Sequence, residues 1–305
     1  MEGTKATFLR QSRHRELMPR TQRSKQAPTT QSPPGSRRPG GPAAPLRILQ
    51  ITDLHLYADP QGRLLGQNTR LTLDLVLELA SRTYWPVDRI LITGDLVHDE
   101  STEGYRYLEQ RLARLETPCN VLPGNHDTSP VMARTLDSGA VSSVPALRCG
   151  PWNLILLDST IPGDEGGHLN ADQLRILDQS LSANPHAHTL VCMHHQPIPV
   201  GSVWMDTMAL DNADDFFAVI DRHPQVRGIL WGHIHQDFAA ERNGVALLGS
   251  PSTCIQFLPL SADFAVDALT PGFRWLDLHP DGRIETGIFR IDDYPVPMDL
   301  TTGGY

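Results

Sequence analysis

The chain of 305 residues is 40% hydrophobic, which is ample for a packed core in one large domain or two small ones. No stretch approaches the roughly 18 uninterrupted apolar residues of a membrane span, and the N-terminus lacks the apolar region of a secretory signal. The sequence therefore predicts a cytoplasmic protein with no membrane span. Its four cysteines form no C-x-x-C pair, which argues against a zinc knuckle and against a disulfide framework.

The net charge of −9 conceals two segments of opposite sign. Residues 1–44 carry nine Lys or Arg residues against two Glu residues, which gives +7 and leaves −16 for the remainder. This segment lacks apolar periodicity, so we predict a disordered basic tail before a single domain at 45–305. Basic arms sometimes bind nucleic acid or anionic lipid. A solvated leader, or a start codon assigned too far upstream of Met18, is the favoured interpretation, and no nucleic-acid partner is expected.

Short β-rich runs alternate with amphipathic helical windows from Leu46 onward, a pattern typical of a layered α/β domain. Ser129 and Pro130 indicate a helix that Ser129 caps. Asn170 could cap another helix, and Asp211 or Asn212 could introduce a third. In chain order, hydrophobic periodicity predicts a strand at 46–52, a helix at 69–80, a strand at 89–93, a helix at 102–115, and strands at 119–122 and 152–157, then a helix at 171–182, a strand at 189–193, a helix around 216–220 and a strand at 228–231.

The C-terminal part of the sequence is predicted to form only β-strands. Strands are predicted at 236–241 and 245–248, and a hairpin at 273–278 and 283–290 turns at a Pro-Asp-Gly sequence. A second sheet that closes over the first would complete a two-sheet sandwich.

Five polar clusters follow apolar, strand-like runs, so several strands could deliver polar side chains to one edge of one sheet. The clusters lie at residues 53–55, 94–95, 124–127, 194–195 and 232–235. Carboxylate, amide oxygen and imidazole are the donors that hard or borderline divalent metals favour, and the chain has no thiolate cluster to use instead. If these side chains were individually satisfied polar groups, nothing would explain why all of them terminate strands. Seven residues are candidate metal ligands: Asp53, His55, Asp95, Asn125, His194, His233 and His235.

Seven ligands are too many for one ion with an open catalytic position, but they suit two ions bridged by one carboxylate, for which Asp95 is the natural choice. Residues i and i+2 of an extended backbone point the same way, so Asp53 and His55 can hold one ion. His233 and His235 could instead diverge slightly and serve both ions.

Two ions roughly 3.5 to 4 Å apart lower the pKa of a bridging water and neutralise the oxygens of a phosphorus centre under in-line attack. The clusters therefore predict hydrolysis of a phosphate ester. Two residues are candidate catalytic groups. His126, directly after Asn125, is placed to donate a proton to the leaving oxygen, and Asp127 is expected to orient His126.

The ordered motifs D-x-H, G-D, G-N-H-D, H and G-H-x-H resemble those of the calcineurin-like metallophosphoesterase superfamily. This resemblance implies an α/β fold, a four-layered αββα sandwich of two mixed sheets flanked by helices. It also implies that metal one is held by Asp53, His55, Asp95 and His235, and metal two by Asp95, Asn125, His194 and His233.

Segments outside the ligands, among them 65–68, 251–257 and the C-terminal Gly-Gly-Tyr305, look like those of bacterial class III 3',5'-cyclic-AMP phosphodiesterases. That resemblance implies cyclic AMP (cAMP) as the substrate and 5'-AMP as the product. The family often has Thr where this chain has Leu54, which is not a ligand position. Two divalent ions are implied, with Fe²⁺ preferred, although Mn²⁺, Zn²⁺ or a mixed pair would suit the donors equally. The implied phosphate contacts are His55, Asp95, Asn125, His126 and His235.

Two other functions stay open at this point, together with the oligomeric state. One is a sister phosphodiesterase that acts on 2',3'-cyclic nucleotides, glycerophosphodiesters or another nucleotide. The other is a metal-poor interaction scaffold, against which the intact ligand set argues. His195 either faces the nucleotide or hydrogen-bonds behind the ligands, and the second role is favoured. His98 and His168 are undecided. Trp204, with Met205 and Met208, forms either an apolar wall for adenine or a packed loop.

Overall fold

The computed structural model describes residues 44–136, 139, 141–296 and 299. In chain order the elements are β1 Leu46–Ile51, β2 Arg63–Leu64, β3 Gln67–Asn68, α1 Thr69–Thr83, β4 Arg89–Thr93, α2 Thr102–Ala113, β5 Cys119–Leu122, α3 Ser129–Thr135, β6 Val141–Ser142, β7 Ala146–Cys149, β8 Trp152–Leu156, β9 Thr160–Ile161, β10 Asp164–Gly167, α4 Ala171–Ala183, β11 His188–Cys192, α5 Val203–Asp206, α6 Ala213–Ile220, β12 Val226–Trp231, β13 Phe238–Arg242, β14 Val245–Gly249, β15 Gln256–Phe257, β16 Val266–Asp267, β17 Gly272–Leu278 and β18 Ile284–Arg290.

Two six-stranded mixed sheets form the centre of the molecule. The first sheet has the order β18-β17-β1-β4-β5-β6, in which β1, β4, β5 and β6 run parallel and the C-terminal hairpin adds antiparallel strands beside β1. The second sheet has the order β13-β14-β12-β11-β8-β7, with antiparallel strands at both edges. Both sheets therefore carry a parallel core, whose strands end at one side.

Alternate residues of the central strands pack in opposite directions, as the two-residue period of a strand requires. In β1, Leu49 and Ile51 belong to the apolar cluster that includes α1 and α2, whereas Ile48 packs with Leu154 and Leu190 of the second sheet. A third cluster joins the outer face of the second sheet to α4 and α6. The layers are thus helices, sheet, sheet and helices, and the predicted four-layered αββα sandwich is confirmed.

The structure confirms one of the predicted helix caps and corrects another. The Asn170 side chain accepts hydrogen bonds from the backbone N–H groups of Asp172 and Gln173 at the start of α4, as expected. The prediction that Ser129 caps α3 is wrong, because Thr128 occupies the cap position and Ser129 is the first helical residue. Thr128 makes no side-chain cap bond, since its hydroxyl donates to Glu100 Oε2 at 3.0 Å.

Two predicted segments lie at the limits of the described chain. Of the predicted basic tail, only Ala44 is described, so the disorder of residues 1–44 stays a prediction. The C-terminal Gly-Gly-Tyr305 also lies outside the described residues. Among the helices of the described ranges, none combines the length and the apolar character needed to cross a bilayer.

Candidate metal centre

The five polar clusters meet at one end of the sandwich. Asp53, Asp95 and Asn125 follow β1, β4 and β5 of the first sheet, whereas His194 and His233 follow β11 and β12 of the second. The expectation of one edge of a single sheet is therefore wrong, because both sheets contribute. A hydrogen bond joins the two sets, since the His233 backbone N–H donates to Asp53 Oδ1 at 3.0 Å.

The ligand loops leave their strands in left-handed turns. The backbone φ angle is 54° at Asp53, 47° at His55, 52° at Asp95, 63° at His233 and 48° at His235. The extended conformation expected at 53–55 is therefore wrong. A left-handed non-glycine residue costs on the order of 1–3 kcal/mol, and such residues persist where the surrounding structure over-determines them. Turns at these positions bring side chains from one short segment into the same small space.

Four side chains surround the position predicted for metal one, and all of them are fully buried. His235 Nε2 lies 3.3 Å from Asp53 Oδ1 and 3.3 Å from His55 Nε2, and His55 Nε2 lies 3.7 Å from Asp95 Oδ2. The Oδ2 atoms of both carboxylates are buried with no hydrogen-bond partner among the described residues. Buried carboxylate oxygens without donors need a cation, so this donor set fits a divalent metal.

A second group lies on the other side of Asp95. His194 Nε2 is 3.0 Å from Asn125 Oδ1 and 3.4 Å from Asp95 Oδ2. His233 is 3% exposed, and neither of its ring nitrogens has a hydrogen-bond partner within the described ranges. Asp95 Oδ2 thus faces His55 in one group and His194 in the other. The position is that of a carboxylate able to bridge two ions.

Tight packing around these side chains explains the glycine of the G-N-H-D motif. A β-carbon on Gly124 would lie 2.2 Å from Asp95 Oδ1 and 2.8 Å from His194 Cε1. Only a glycine lets the backbone pass this close to both ligands.

Burial sets the charge state of two imidazoles in the centre. It lowers the pKa of His55 and of His233, so both rings are neutral and carry a lone pair for a metal. Burial also opposes ionisation of Asp95, but the neighbouring His194 and His126 outweigh it and hold the pKa of Asp95 well below its usual range. The centre therefore presents an ionised Asp95 carboxylate and neutral nitrogen donors at His55 and His233.

His194 differs, because both of its ring nitrogens face acceptors. Nδ1 lies 2.8 Å from the Thr93 carbonyl oxygen, and Nε2 lies 3.0 Å from Asn125 Oδ1. Each nitrogen must donate a proton to its acceptor, so the metal-free ring is the imidazolium. Burial opposes this charge, but Asp95 outweighs it and raises the pKa of His194 to about 9. A metal bound at Nε2 would take the place of that proton.

Metal binding should therefore release one proton from His194 at neutral pH. Since its pKa is about 9 without metal, the apparent affinity for Mn²⁺ should rise roughly tenfold per pH unit between pH 6.5 and 8.5. Titration calorimetry in buffers of different ionisation enthalpy measures the released proton directly. A His168→Ala variant should behave like the wild type, because His168 is not a candidate ligand. Its Nδ1 lies 2.6 Å from Asp211 Oδ1. Binding without proton release would contradict the assigned charge of His194.

The Asp127 carboxylate does not orient His126 as expected. Its oxygens accept hydrogen bonds from the backbone N–H groups of Leu96, Val97 and Gly124 and from the Tyr105 hydroxyl, at 2.8 to 3.2 Å. These partners tie the loop after β4 to the loop after β5. Burial, with the charge of Asp95, raises the pKa of Asp127 to about 6. The residue therefore holds the two ligand loops together.

An Asp127→Asn variant should be strongly destabilised. An amide offers one acceptor oxygen and turns its NH₂ group toward N–H donors, so we expect a loss of about 3 kcal/mol or more in unfolding free energy. Urea denaturation of the metal-free protein measures this change. Asp211→Asn, at an exposed position, should stay within about 0.5 kcal/mol of the wild type. Equal unfolding free energies of the two variants would contradict a structural role for Asp127.

His126 lies at the open side of the centre and is partly exposed. Its backbone N–H donates to Asp95 Oδ1 at 3.0 Å, and its ring centroid lies 5.0 Å from that of His55. A cavity of about 380 Å³ opens beside His126 and Asn125, and residues 160–165 line its other side. His126 is thus placed between the buried ligands and the space where a substrate can enter.

The role of His98 was undecided from the sequence, and the structure places this residue in the site. Its Nδ1 lies 3.1 Å from His55 Nδ1, and its ring stacks on His126 with centroids 4.7 Å apart. His98 follows Asp95 by three residues, and the left-handed turn at Asp95 brings it back over the site. The spacing alone does not reveal this, because the turn is not encoded in a hydrophobic pattern.

Trp204 packs in an aromatic group beside the position predicted for metal one. Its ring meets those of Phe257 and Phe264 edge-on, with centroids 5.0 and 5.2 Å apart. Phe257 in turn stacks on the candidate ligand His235, with ring centroids 4.1 Å apart and an interplanar angle of 8°. Met205 is fully buried. These contacts favour the packed-loop interpretation of the segment over the adenine wall.

Comparison with known proteins places the geometry in context. A family model described as calcineurin-like phosphoesterase matches residues 46–237. The 3',5'-cyclic adenosine monophosphate phosphodiesterase CpdA of Pseudomonas aeruginosa is 42% identical over 272 residues, which cover 88% of this chain and all of that protein. The protein of the same name from Escherichia coli (strain K12) is 40% identical over 263 residues, covering 86% of this chain and 96% of that protein.

Solved structures share the fold at low sequence identity. A dimetal phosphatase from Danio rerio matches with a TM-score of 0.58 and 15% identity, over 82% of this chain and all of that chain. A purple acid phosphatase from yellow lupin matches with a TM-score of 0.59 and 13% identity, over 85% of this chain and 53% of that chain. Both likenesses concern the two-sheet architecture.

Proposed function

Since the chain belongs to the calcineurin-like phosphoesterase family, we propose that it is a metal-dependent phosphodiesterase that hydrolyses 3',5'-cyclic AMP to 5'-AMP. The observation that carries this proposal is the roughly 40% identity to cAMP phosphodiesterases over about 85% of the chain, which includes all five ligand clusters. Convergence of the seven ligand side chains on one buried site supports the hydrolytic activity. The same convergence argues against the metal-poor scaffold.

The family uses a binuclear metal centre, and the donor set of this chain fits two ions. Metal one would be held by Asp53, His55, Asp95 and His235, and metal two by Asp95, Asn125, His194 and His233. When bound, the ions would activate water as a nucleophile and neutralise charge on the phosphate oxygens. The carboxylate, amide and imidazole donors suit Fe²⁺, Mn²⁺, Zn²⁺ or a mixed pair equally. The resemblance to class III cyclic-AMP phosphodiesterases is the reason that we propose Fe²⁺ as the preferred ion, with Mn²⁺ or a mixed pair as alternatives.

The residues at the open side would bind the phosphate and assist the leaving group. Asn125 and His126 line the cavity. His55, Asp95 and His235 are fully buried beside them. Hydrolysis to 5'-AMP breaks the bond between phosphorus and the 3'-oxygen, which must gain a proton. His126 would donate that proton, since it is the partly exposed imidazole beside Asn125.

The test is product analysis with the metal-loaded protein. Full-length protein with Mn²⁺ or Fe²⁺ is expected to release 5'-AMP from 3',5'-cyclic AMP faster than it opens 2',3'-cyclic AMP or cleaves glycerophosphodiesters. An Asn125→Ala variant serves as the inactive control, because it removes a proposed ligand at the edge of the cavity. Faster hydrolysis of either competing substrate would contradict cyclic AMP as the preferred substrate. It would still support phosphodiesterase activity.

A further inference from the structure

We propose that His195 is a positioning residue that anchors the hairpin of β9 and β10, residues 160–167, against the ligands of metal two. This entrance hairpin forms one wall of the cavity beside His126 and Asn125. By fixing the wall, His195 would set the space for the nucleoside part of the substrate. The substrate named in this inference rests on the proposed function, whereas the anchoring of the hairpin does not.

The hydrogen bonds of His195 define one tautomer. Its ring Nε2 lies 3.2 Å from the carbonyl oxygen of Glu165, and Nδ1 lies 2.8 Å from the Ser159 hydroxyl. A carbonyl oxygen can only accept, so Nε2 carries the proton and Nδ1 accepts from Ser159. The His195 backbone N–H also donates to Ser159 Oγ at 3.3 Å. The fully buried ring therefore joins Ser159, just before the hairpin, to Glu165 in β10.

The same ring packs against two candidate metal ligands and against the end of the hairpin. The His195 ring centroid lies 4.9 Å from that of His194 and 4.7 Å from that of His233. On the hairpin side, a β-carbon added to Gly167 would lie 2.5 Å from His195 Cγ. The last residue of the hairpin thus lies directly on the ring. His195 is held between two proposed metal ligands and the wall of the cavity.

The hairpin has little pairing of its own to hold it in place. Its strands pair at two positions, Asp164 with Ile161 and Gly167 with Thr160, and the register shifts between them. Further bonds hold its C-terminal end, where the His168 N–H donates to the Ser159 carbonyl and the Gly167 N–H donates to that of Ala209. The part of the hairpin that lines the cavity, residues 160–165, is tied to the centre through His195 and the Glu165 carbonyl.

Removal of these bonds should move the wall without removing the metals. Two hydrogen bonds of ordinary strength correspond to roughly a tenfold change in an equilibrium. For His195→Ala we expect KM for cyclic AMP to rise roughly tenfold, with a much smaller change in kcat. Methyl 4-nitrophenyl phosphate has no nucleoside to contact the wall, so its hydrolysis should change much less. His195→Gln keeps an N–H that can reach Glu165 and should restore part of the KM.

Hydrogen exchange provides a readout that does not depend on activity. Amides of 160–167 in full-length, Mn²⁺-loaded His195→Ala should exchange roughly tenfold faster than in the wild type, while bound metal stays at the wild-type level. Ser159→Ala removes the Nδ1 partner without touching a ligand, so it should show the same change in weaker form. It also keeps the test valid if His195→Ala fails to fold.

Unchanged exchange in both variants, or an equal loss of hydrolysis of both substrates together with loss of metal, would overturn the anchoring role. If the wild type does not hydrolyse cyclic AMP, the proposed function fails, but the exchange experiment still decides whether His195 holds the hairpin.

Discussion

Replacement of Asp95 by Asn is expected to lower kcat/KM for cyclic AMP by roughly 10⁴-fold, which corresponds to about 5 kcal/mol of transition-state stabilisation. Asp95 Oδ2 is the buried oxygen that faces both His55 and His194, at 3.7 and 3.4 Å. The amide keeps the size of the side chain and can still accept the bond from the His126 N–H, but it lacks the negative charge that would bridge the two proposed cations.

Metal analysis of the same variant separates the bridge from a general loss of structure. Asp95→Asn should fold, with a far-ultraviolet spectrum like that of the wild type, and should retain at most one ion per chain. Asp211→Asn is a matched control, since Asp211 is an exposed carboxylate that pairs with His168. Near-normal hydrolysis by Asp95→Asn would contradict a mechanism that depends on two bridged ions.

Replacement of His126 by Ala is expected to slow the hydrolysis of cyclic AMP by roughly 10²–10⁴-fold, the usual contribution of a general acid. The effect should depend on the leaving group. The 3'-oxygen of ribose is a poor leaving group and needs a proton, whereas a 4-nitrophenolate ion leaves without one. The loss for bis(4-nitrophenyl) phosphate should therefore stay below about tenfold.

The comparison of the two substrates distinguishes proton donation from other roles of His126. Its backbone N–H, which donates to Asp95 Oδ1, is unaffected by the substitution, so the metal site should persist. His168→Ala, at a partly exposed histidine outside the centre, should alter neither rate. An equal loss for both substrates would indicate that His126 binds phosphate or supports a metal ligand, and would remove it as the proton donor.

The ligand positions were predictable because each belongs to a short local pattern. Asp53, Asp95, Asn125, His194 and His233 all follow an apolar strand, and strand ends can be read from hydrophobic periodicity. The layered fold followed from the same alternation of strands and helices. The sequence did not reveal which sheet each strand joins, so the two-sheet origin of the centre emerged only from the strand pairing.

The remaining features depend on contacts between distant residues. Asp127 meets Leu96 and Tyr105, which lie 31 and 22 residues away, so its orientation could not be inferred from its neighbour His126. His195 meets Ser159 across 36 residues and through a serine that no motif marks. The entrance hairpin has strands of two and four residues, too short for a periodic signal. Left-handed turns at the ligands leave no hydrophobic pattern.

If two ions in this centre drive the opening of 3',5'-cyclic AMP, the rate must follow the occupancy of both metal positions. Metal-free protein is titrated with Mn²⁺, while bound metal and 5'-AMP release are measured on the same samples. We expect little turnover with one ion bound and a maximal rate when two are bound per chain. A full rate at one ion, or no 5'-AMP at two, would contradict the account.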